Sequence, residues 1–523
     1  MTPVVLYRNG RVHSPADPLA TALLVRAGRV AWLGPDAEAP AAERVVDLAG
    51  DLVTPAFVDA HVHTTDTGIV LLGLDLAGTR SATDVLDRVA AHARGLPADA
   101  VVLGHGWDES GWPERRPPSP AELDRAAAGR AVYLAQASVH SAVVSSALLT
   151  VAPPDVPGWD ASGWLRRDAH HRVREVAMGS LGAVGRQAAQ RAALRHAASL
   201  GIAAVHECGG PGTSSEADFG SVLALSGQGL PEVYGYWGEL GAVAKARELG
   251  AVGAGGDLYA DGALGSQTAH LRLPYADHAD HAGGACGYGY LSADQVATHL
   301  VACTEAGLQG GFHAIGDRAI ATVLAGFALA AARLGLARIR DARHRVEHLE
   351  ILDKALIAGL VEFGVVASVQ PAFDRLWGGE DGMYALRLGP ARALAANPLG
   401  ALAGVGVALA FGSDAPVTPM DPWGAIRAAM THHNPVQRLG SRAAFAAHTR
   451  GGWRAAHRDD EGVLAPGVPA TFAVWSGVTA VTRGLPALLP AEPDGAVPEL
   501  PTCRRTVLRG NVIFDAEGPW PES

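Results

Sequence analysis

The chain has 523 residues, of which 48% are hydrophobic and 18% charged, and this composition predicts a globular protein of two or three domains. Its formal net charge of -11, from 42 basic and 53 acidic residues, argues against nucleic acid or an anionic membrane surface as the main partner. The four cysteines form no CxxC pair, and neither a signal peptide nor an apolar run long enough to span a bilayer is evident, so we expect a cytoplasmic protein without a disulfide framework.

Short apolar runs separated by glycines predict small β-strands at both ends of the chain. They lie at Val4–Tyr7, Ala22–Val25, Val30–Leu33, Arg44–Asp47, Thr471–Trp475, Thr506–Arg509 and Val512–Phe514. Because the ends of a domain often meet, we predict one composite β-sandwich from residues 1–51 and 458–523.

Between these ends, residues 52–457 alternate short apolar runs with Ala-, Leu- and Arg-rich stretches, which is typical of parallel β/α units. The predicted strands are Leu52–Ala60, Ile202–His206, Glu232–Tyr236, Asp257–Ala260, Leu308–His313, Arg343–His348, Val365–Val369 and Val407–Gly412. Eight such units favour an α/β protein with a closed (β/α)8 TIM barrel. The long gap after the first barrel strand predicts an inserted subdomain over about residues 75–180, covering the barrel mouth.

The first predicted barrel strand ends in Asp59-Ala60-His61-Val62-His63. Residues two apart on a strand face the same side, so His61 and His63 point together from the carboxyl end, where barrel enzymes place their sites. Two neutral imidazoles in this position suit Zn²⁺ or a similar divalent ion. Two ordinary polar residues at a strand exit are the alternative interpretation.

Three more predicted strands end in groups that can ligate a metal. They carry His313 in Phe312–Asp317, His348 in Arg345–His348, and Asp414 in Phe411–Pro416. Each of these alone is better explained as a hydrogen-bonded core residue or a helix cap. Together they converge, because a closed barrel gathers its strand ends around one axis.

At this point the sequence resembles a known family. The HxH strand and the strings HAIGD, HRVEH and GSDAPV look like those of the metal-dependent amidohydrolase superfamily. Longer strings, GWD at 106–108, YADGALGSQTA at 259–269, ASVQP at 367–371 and GVLAPG at 462–467, resemble its YtcJ-like branch, which includes N-substituted formamide deformylases. The resemblance covers nearly the whole chain, and the strings occur in the expected order.

The resemblance implies a metal site and a reaction. It implies metal ligation by His61, His63, His313 and His348, with Asp414 as the last ligand and the general base. It further implies that His348 or the metal polarises the substrate carbonyl. The cofactor is then a divalent metal, with zinc the favoured ion.

The chain departs from the family at the end of the fourth strand. Many relatives carry a carboxylated lysine there that bridges two metals, whereas this chain has Asp257. The only lysines, Lys245 and Lys354, lie in helical stretches and do not replace it. Asp257 could ligate one metal, bridge two, or orient a histidine from outside the ligand set. We therefore favour one catalytic ion over two.

Three further residues are candidates for contact with substrate. Trp107 lies in the predicted insertion, Gln370 ends the seventh strand, and Glu207 follows His206 at the end of the second strand. The alternatives are a core position for Trp107 and an acidic helix start for Glu207.

The sequence thus predicts hydrolysis of a non-peptide C–N bond in a small amide, formamide, carbamate or cyclic amide. Deamination of an amino-heterocycle at the same site is an alternative, and a metal-binding relative without turnover is another. A small molecule is the expected partner, and a homodimer is compatible with the resemblance.

Overall fold

The computed structural model describes residues 3–137, 141–277, 286–490 and 495–518. The chain divides into two compact units. One unit is the segment Thr64–Ala193, and the other combines the chain up to His63 with the chain from Leu194 onward.

The larger unit contains a parallel eight-stranded sheet whose strands neighbour one another in chain order. These barrel strands are Phe57–Val62, Ile202–Gly209, Glu232–Trp237, Gly253–Ala254, Gln309–Ala314, Arg345–His348, Val366–Val369 and Ala408–Phe411. Just after the last strand, the Asp414 amide donates to the His61 carbonyl (2.8 Å), and the His63 amide donates to the Ala415 carbonyl (2.9 Å). These bonds join the last strand to the first, so the predicted TIM barrel is confirmed.

Helices accompany the barrel strands in the same unit. They are Glu216–Ala224, Val243–Glu248, Ala293–Ala306, Asp317–Leu334, Leu336–Asp341, Lys354–Phe363, Pro371–Trp377, Met383–Leu388, Pro390–Ala395, Leu399–Gly404, Pro422–Met430, Ser441–His448 and Arg450–Ala455. Every residue of the first, second and fifth barrel strands is buried. Strands covered on both faces read as continuous apolar runs, which is why the sequence reveals them.

Two predicted barrel strands differ from the structure. The run Leu52–Ala60 forms two strands, because Pro55 has no amide hydrogen to continue a ladder, and Leu52–Pro55 pairs with Phe472–Ser476 outside the barrel. The fourth strand is Gly253–Ala254 rather than Asp257–Ala260. Gly255 and Gly256 have φ values of 158° and 76°, which end the strand early and leave Asp257 in the segment that follows it.

Two further sheets lie outside the barrel, the first built from N-terminal strands and the second from strands of both chain ends. One contains Arg29–Gly34, Ala22–Arg26, Val5–Arg8 and Arg44–Asp47, and the other contains Arg11–Val12, Leu52–Pro55, Phe472–Ser476, Thr502–Leu508 and Asn511–Asp515. Tyr7 and Phe472 pack edge to face between them, with ring centroids 5.0 Å apart. A shared apolar core therefore joins the two termini, and it includes Val53, two residues beyond the predicted boundary at residue 51. A short hairpin pairs Val481–Thr482 with Leu485–Pro486.

The second unit has its own five-stranded sheet. Its strands are Trp164–Arg166, Ser141–Val144, Val132–Gln136, Val102–Trp107 and Leu74–Asp75, and its helices are Thr64–Leu72, Ala82–Ala93, Pro120–Ala126, Ser146–Leu149 and Arg167–Gly179. The helix Gly182–Ser199 contains the boundary with the larger unit. The insertion predicted for about residues 75–180 lies inside this unit, which begins and ends about a dozen residues further out.

Among the described residues, no helix combines the length and the apolar character needed to cross a membrane.

Candidate metal centre

The first barrel strand brings two histidines to the carboxyl end of the barrel. His61 lies in the fully buried strand Phe57–Val62, and His63 follows directly after it. The Nε2 atoms of His61 and His63 lie 3.4 and 3.3 Å from the same atom, Asp414 Oδ1. Strand alternation thus has the effect expected from the HxH pattern, since both rings reach one carboxylate.

Asp414 is held in an unusual backbone conformation after the last strand. Its φ is 57°, in the left-handed region that non-glycine residues seldom adopt. The Asp59 carboxylate fixes the segment by accepting from the Ser413 amide at 2.8 Å. A Cβ at Gly412 would lie 2.6 Å from the His61 amide nitrogen, so only glycine permits the last strand to approach the first this closely.

His313 is the next-to-last residue of the fifth barrel strand, and His348 ends the sixth. The loop next to His313 is fixed by Asp261, whose carboxylate accepts from the amides of Ile315 (3.0 Å) and Gly316 (2.8 Å). His348 itself has a φ of 72°. Strained backbone of this kind is concentrated at functional sites, because surrounding structure must maintain it.

Asp257 occupies the middle of the cluster. Its Oδ1 atom lies 3.5 Å from both His61 Nε2 and His313 Nδ1, and 3.7 Å from His348 Nε2. Its Oδ2 atom lies 3.1 Å from His63 Nε2. The two oxygens of one buried carboxylate therefore face all four histidines.

In three of these histidines, the ring nitrogen that faces away from the cluster has its own partner. His61 Nδ1 lies 2.9 Å from Glu347 Oε2, and His348 Nδ1 lies 2.9 Å from Gln370 Oε1. His313 Nε2 lies 3.2 Å from the Gly262 carbonyl oxygen. Each partner accepts a hydrogen bond from the ring N–H, which leaves the inner nitrogen as a lone-pair donor for a metal.

The electrostatics of the cluster favour positive charge. Burial alone lowers the pKa of His63, but hydrogen bonds and charge from Asp257 and Asp414 outweigh it and raise that pKa well above its ordinary value. Burial also acts to lower the pKa of His61, but Cys208, Asp257 and Asp414 outweigh it and raise that pKa well above its ordinary value. For Asp257, burial acts to raise the pKa, but the charge of His61 and the close approach of His313 and His348 hold it well below the usual range.

These donors fit a divalent cation. His61 Nε2, His313 Nδ1 and Asp257 Oδ1 are buried atoms without a hydrogen-bond partner. Two sets of ligand atoms each lie within 4.8 Å of one another, one from His61, Asp257 and His348, the other from His61, His63 and Asp414. Imidazole nitrogens with carboxylate oxygens are a donor set that Zn²⁺ accepts, and a cation would satisfy the unpartnered atoms.

The three residues predicted to contact substrate lie in different surroundings. Gln370 is buried against His348. Glu207 is also buried, between His206 and Cys208 on the second strand. His206 contacts Arg345 inside the barrel and Cys208 approaches His61, so strand alternation directs Glu207 to the opposite face.

Trp107 belongs to the core of the second unit. Its side chain has 0% exposed surface, and its Nε1 donates to the Leu134 carbonyl at 2.8 Å. The ring also packs against Trp164 at 5.6 Å. These are the surroundings of a core residue, and Trp107 is not included in the proposed site.

Two side chains that support the ligands are visible in the sequence only as polar residues inside strands. Arg345 and Glu347 alternate with Val346 on the sixth strand, a pattern that predicts an ion pair in the barrel interior. The contact of Glu347 with His61 joins residues 286 positions apart. Only the register of the closed barrel reveals it.

Comparison with known proteins identifies the family of this sequence. The amidohydrolase family model matches residues 44–514. The putative amidohydrolase YtcJ of Bacillus subtilis is 26% identical, over 90% of this chain and 90% of its own. The N-substituted formamide deformylase of Arthrobacter pascens is 33% identical, over 28% of each chain.

A solved structure is similar over most of the chain. It is an uncharacterised metal-dependent hydrolase from Pyrococcus furiosus, with a TM-score of 0.72 and 25% identity, covering 90% of this chain and 98% of that one. Since the family match spans most of the sequence, and the barrel gathers histidines and aspartates at its carboxyl end, this chain belongs to the amidohydrolase family.

Proposed function

We propose that this protein hydrolyses a non-peptide C–N bond of a small molecule, in an amide, formamide, carbamate or cyclic amide. The observation that carries the proposal is the central position of Asp257, whose two oxygens face the four histidines beside Asp414. Such a cluster without a cation leaves buried donors unpartnered, so a metal-dependent reaction explains it best.

We assign the metal ligands as His61, His63, His313, His348, Asp257 and Asp414. Zinc is the favoured ion, because imidazole and carboxylate are its common ligands. Asp257, which faces all four histidines, would hold the single ion that we favour from the missing lysine, or would serve two ions. A bound divalent ion supplies Lewis acidity, which lowers the pKa of water and polarises a carbonyl oxygen.

The residues of the chain then divide the remaining work. The Asp414 carboxylate accepts a proton from the attacking water and returns it to the leaving nitrogen, so the C–N bond breaks to give an acid and an amine. His348 serves as a ligand rather than as the group that polarises the carbonyl, because its Nδ1 proton is donated to Gln370 and Nε2 then carries no proton.

The relatives support this reaction class. YtcJ is described as a putative amidohydrolase, and the deformylase of Arthrobacter pascens acts on N-substituted formamides by its name. Because the deformylase matches only about a quarter of the chain, it guides the choice of substrates to test and does not define the substrate of this protein.

The test is a substrate panel on zinc-loaded protein with a metal-free sample as the control. N-substituted formamides, simple amides, carbamates and cyclic amides are incubated, and the amine and acid products are quantified. Turnover that requires the metal supports the proposal. Ammonia release from amino-heterocycles alone would instead assign a deaminase, and protein that binds no stoichiometric metal would refute a metal-dependent reaction.

A further inference from the structure

A buried ion pair lies in the barrel interior next to the metal cluster. The side chains of Arg345 and Glu347 both have 0% exposed surface, and both belong to the sixth barrel strand. The Arg345 Nε donates to Glu347 Oε1 at 2.5 Å, and its Nη2 donates to Glu347 Oε2 at 2.9 Å. The reaction proposed above uses neither residue.

The Arg345 guanidinium has several hydrogen-bond partners besides Glu347. Its Nη2 also donates to Ser368 Oγ at 2.9 Å and to the Ala60 carbonyl at 2.6 Å, and its Nη1 donates to His206 Nδ1 at 2.9 Å. The guanidinium carbon lies 4.3 Å from the centroid of the Tyr236 ring. A planar group held at so many points has one available orientation, so the carboxylate paired with it is fixed as well.

Glu347 uses this fixed position to reach a metal ligand. Its Oε2 lies 2.9 Å from His61 Nδ1, on the side of the ring away from Asp257 and Asp414. A carboxylate paired with a guanidinium carries no proton, so the imidazole is the donor in this bond. With its proton on Nδ1, the ring directs the Nε2 lone pair toward the two aspartates.

We propose that Glu347, held in place by Arg345, is a positioning residue that fixes the Nδ1–H form of His61 and so presents Nε2 to the metal. The inference rests on the metal-dependent function proposed above. Buried ion pairs contribute little to stability relative to apolar residues of similar size. Positioning a ligand therefore explains this pair better than stabilisation of the barrel.

The test compares two double variants that differ only in the acceptor offered to His61. Arg345→Met with Glu347→Gln keeps an amide oxygen at this position, whereas Arg345→Met with Glu347→Leu removes it, and both replace the ion pair by neutral side chains. Circular dichroism checks folding, and the Kd for zinc is measured by competition with a fluorescent chelator.

We expect the variant with Leu to bind zinc about 10- to 100-fold more weakly than the wild type. The variant with Gln should lie between the two, because it keeps an acceptor for His61 that Arg345 no longer holds. Val346→Ala is the matched control, because Val346 lies on the opposite face of the same strand and belongs to the apolar core, and its Kd should be unchanged. Equal zinc affinity of the two folded double variants would overturn the inference, since a purely structural pair predicts that result.

A second measurement on the zinc-loaded wild type covers the case in which the double variants do not fold. Nuclear magnetic resonance of ¹⁵N-histidine-labelled protein should show an Nδ1–H signal that disappears in His61→Asn. An Nε2–H form of His61 would overturn the inference while leaving the metal-dependent function intact. Wild-type protein that binds no zinc would instead refute the proposed function itself.

Discussion

The buried histidines of this protein form two sets with opposite electrostatics. In the metal centre, His61, His63 and His313 face carboxylates, and their pKa values are raised in spite of burial. Elsewhere in the larger unit, burial dominates: the pKa of His344 falls to about 3 and that of His448 to about 4. Burial is common to both sets, so the carboxylates around a histidine distinguish a cation site from a structural ring.

His206 and His348 both have a lowered pKa, although only His348 lies in the metal centre. Burial and the neighbouring Arg345 guanidinium lower the pKa of His206 well below its ordinary value, as in the structural set. The pKa of His348 is also lowered, by burial and by the charge of His313, although Asp257 opposes this. A lowered pKa favours a neutral ring, which is the form that ligates a metal, so His348 is ready to bind an ion without losing a proton.

The largest expected effect concerns the carboxylate that serves as the base. Asp414→Asn keeps the shape of the side chain but cannot accept the proton of water, so kcat/KM should fall about 10²- to 10⁴-fold. Metal content should be partly retained, because His61 and His63 remain. Steady-state kinetics on the best substrate of the panel, beside elemental mass spectrometry, checks both. Near-normal turnover would refute the role of Asp414 as the base.

Removing histidines from one set at a time tests the comparison directly. His61→Ala with His63→Ala should lower the metal bound per chain by at least half, because two of the ligands in one group are lost. His448→Phe is the control from the structural set, since His448 packs against Phe57 and Phe411. Its metal content should equal that of the wild type. Unchanged metal in the double variant would show that the ligand assignment is wrong.

Asp257→Asn probes the centre of the cluster. If the Asp257 carboxylate is shared by two ions, wild-type protein should contain about two metals per chain and the variant about one. The variant also loses the charge that raises the histidine pKa values, so metal uptake should tolerate a lower pH than in the wild type. One metal in both proteins would support the single ion predicted from the missing lysine and would exclude a shared carboxylate.

Most of the barrel was predictable because its strands are buried on both faces. The second strand, Ile202–Gly209, has eight buried residues, and its apolar run stands out in the sequence. The fourth strand was not predicted at its true position, because it has only two residues, Gly253 and Ala254, and is followed by glycines with positive φ values. Its position depends on pairing with Tyr236 and Gln309, which local sequence does not encode.

The candidate site was predictable to a similar degree. The four histidines and Asp414 follow from strand ends and family resemblance, because a barrel brings its strand ends together. The central position of Asp257 and the support of His61 by Glu347 depend on contacts between distant strands. Trp107 shows that a conspicuous motif can mislead, because the tryptophan of the GWD string is a core residue.

The two sets of histidines also predict opposite effects of pH on the stability of metal-free protein. The folded-state pKa of His448 is about 4 against an ordinary 6.5, so the unfolded chain takes up the proton first as the pH falls. The stability that the neutral His448 contributes, on the order of 3 kcal/mol, is therefore present above pH 6.5 and is lost as the pH falls toward 4. His448→Phe should flatten this acid limb.

In the metal centre, the effect of pH on stability has the opposite sign. Because the pKa values of His61, His63 and His313 are raised, their contribution is fully present below pH 6.5 and is lost as the pH rises through the folded-state values. Zinc replaces these protons, so saturating metal should abolish the alkaline loss and leave the acid loss of His448 in place. Urea unfolding midpoints between pH 4 and 9, with and without zinc, measure both limbs. If zinc changed the unfolding midpoint at neither acid nor alkaline pH, the raised pKa values would not belong to metal ligands, and the distinction between the two sets of histidines would be wrong.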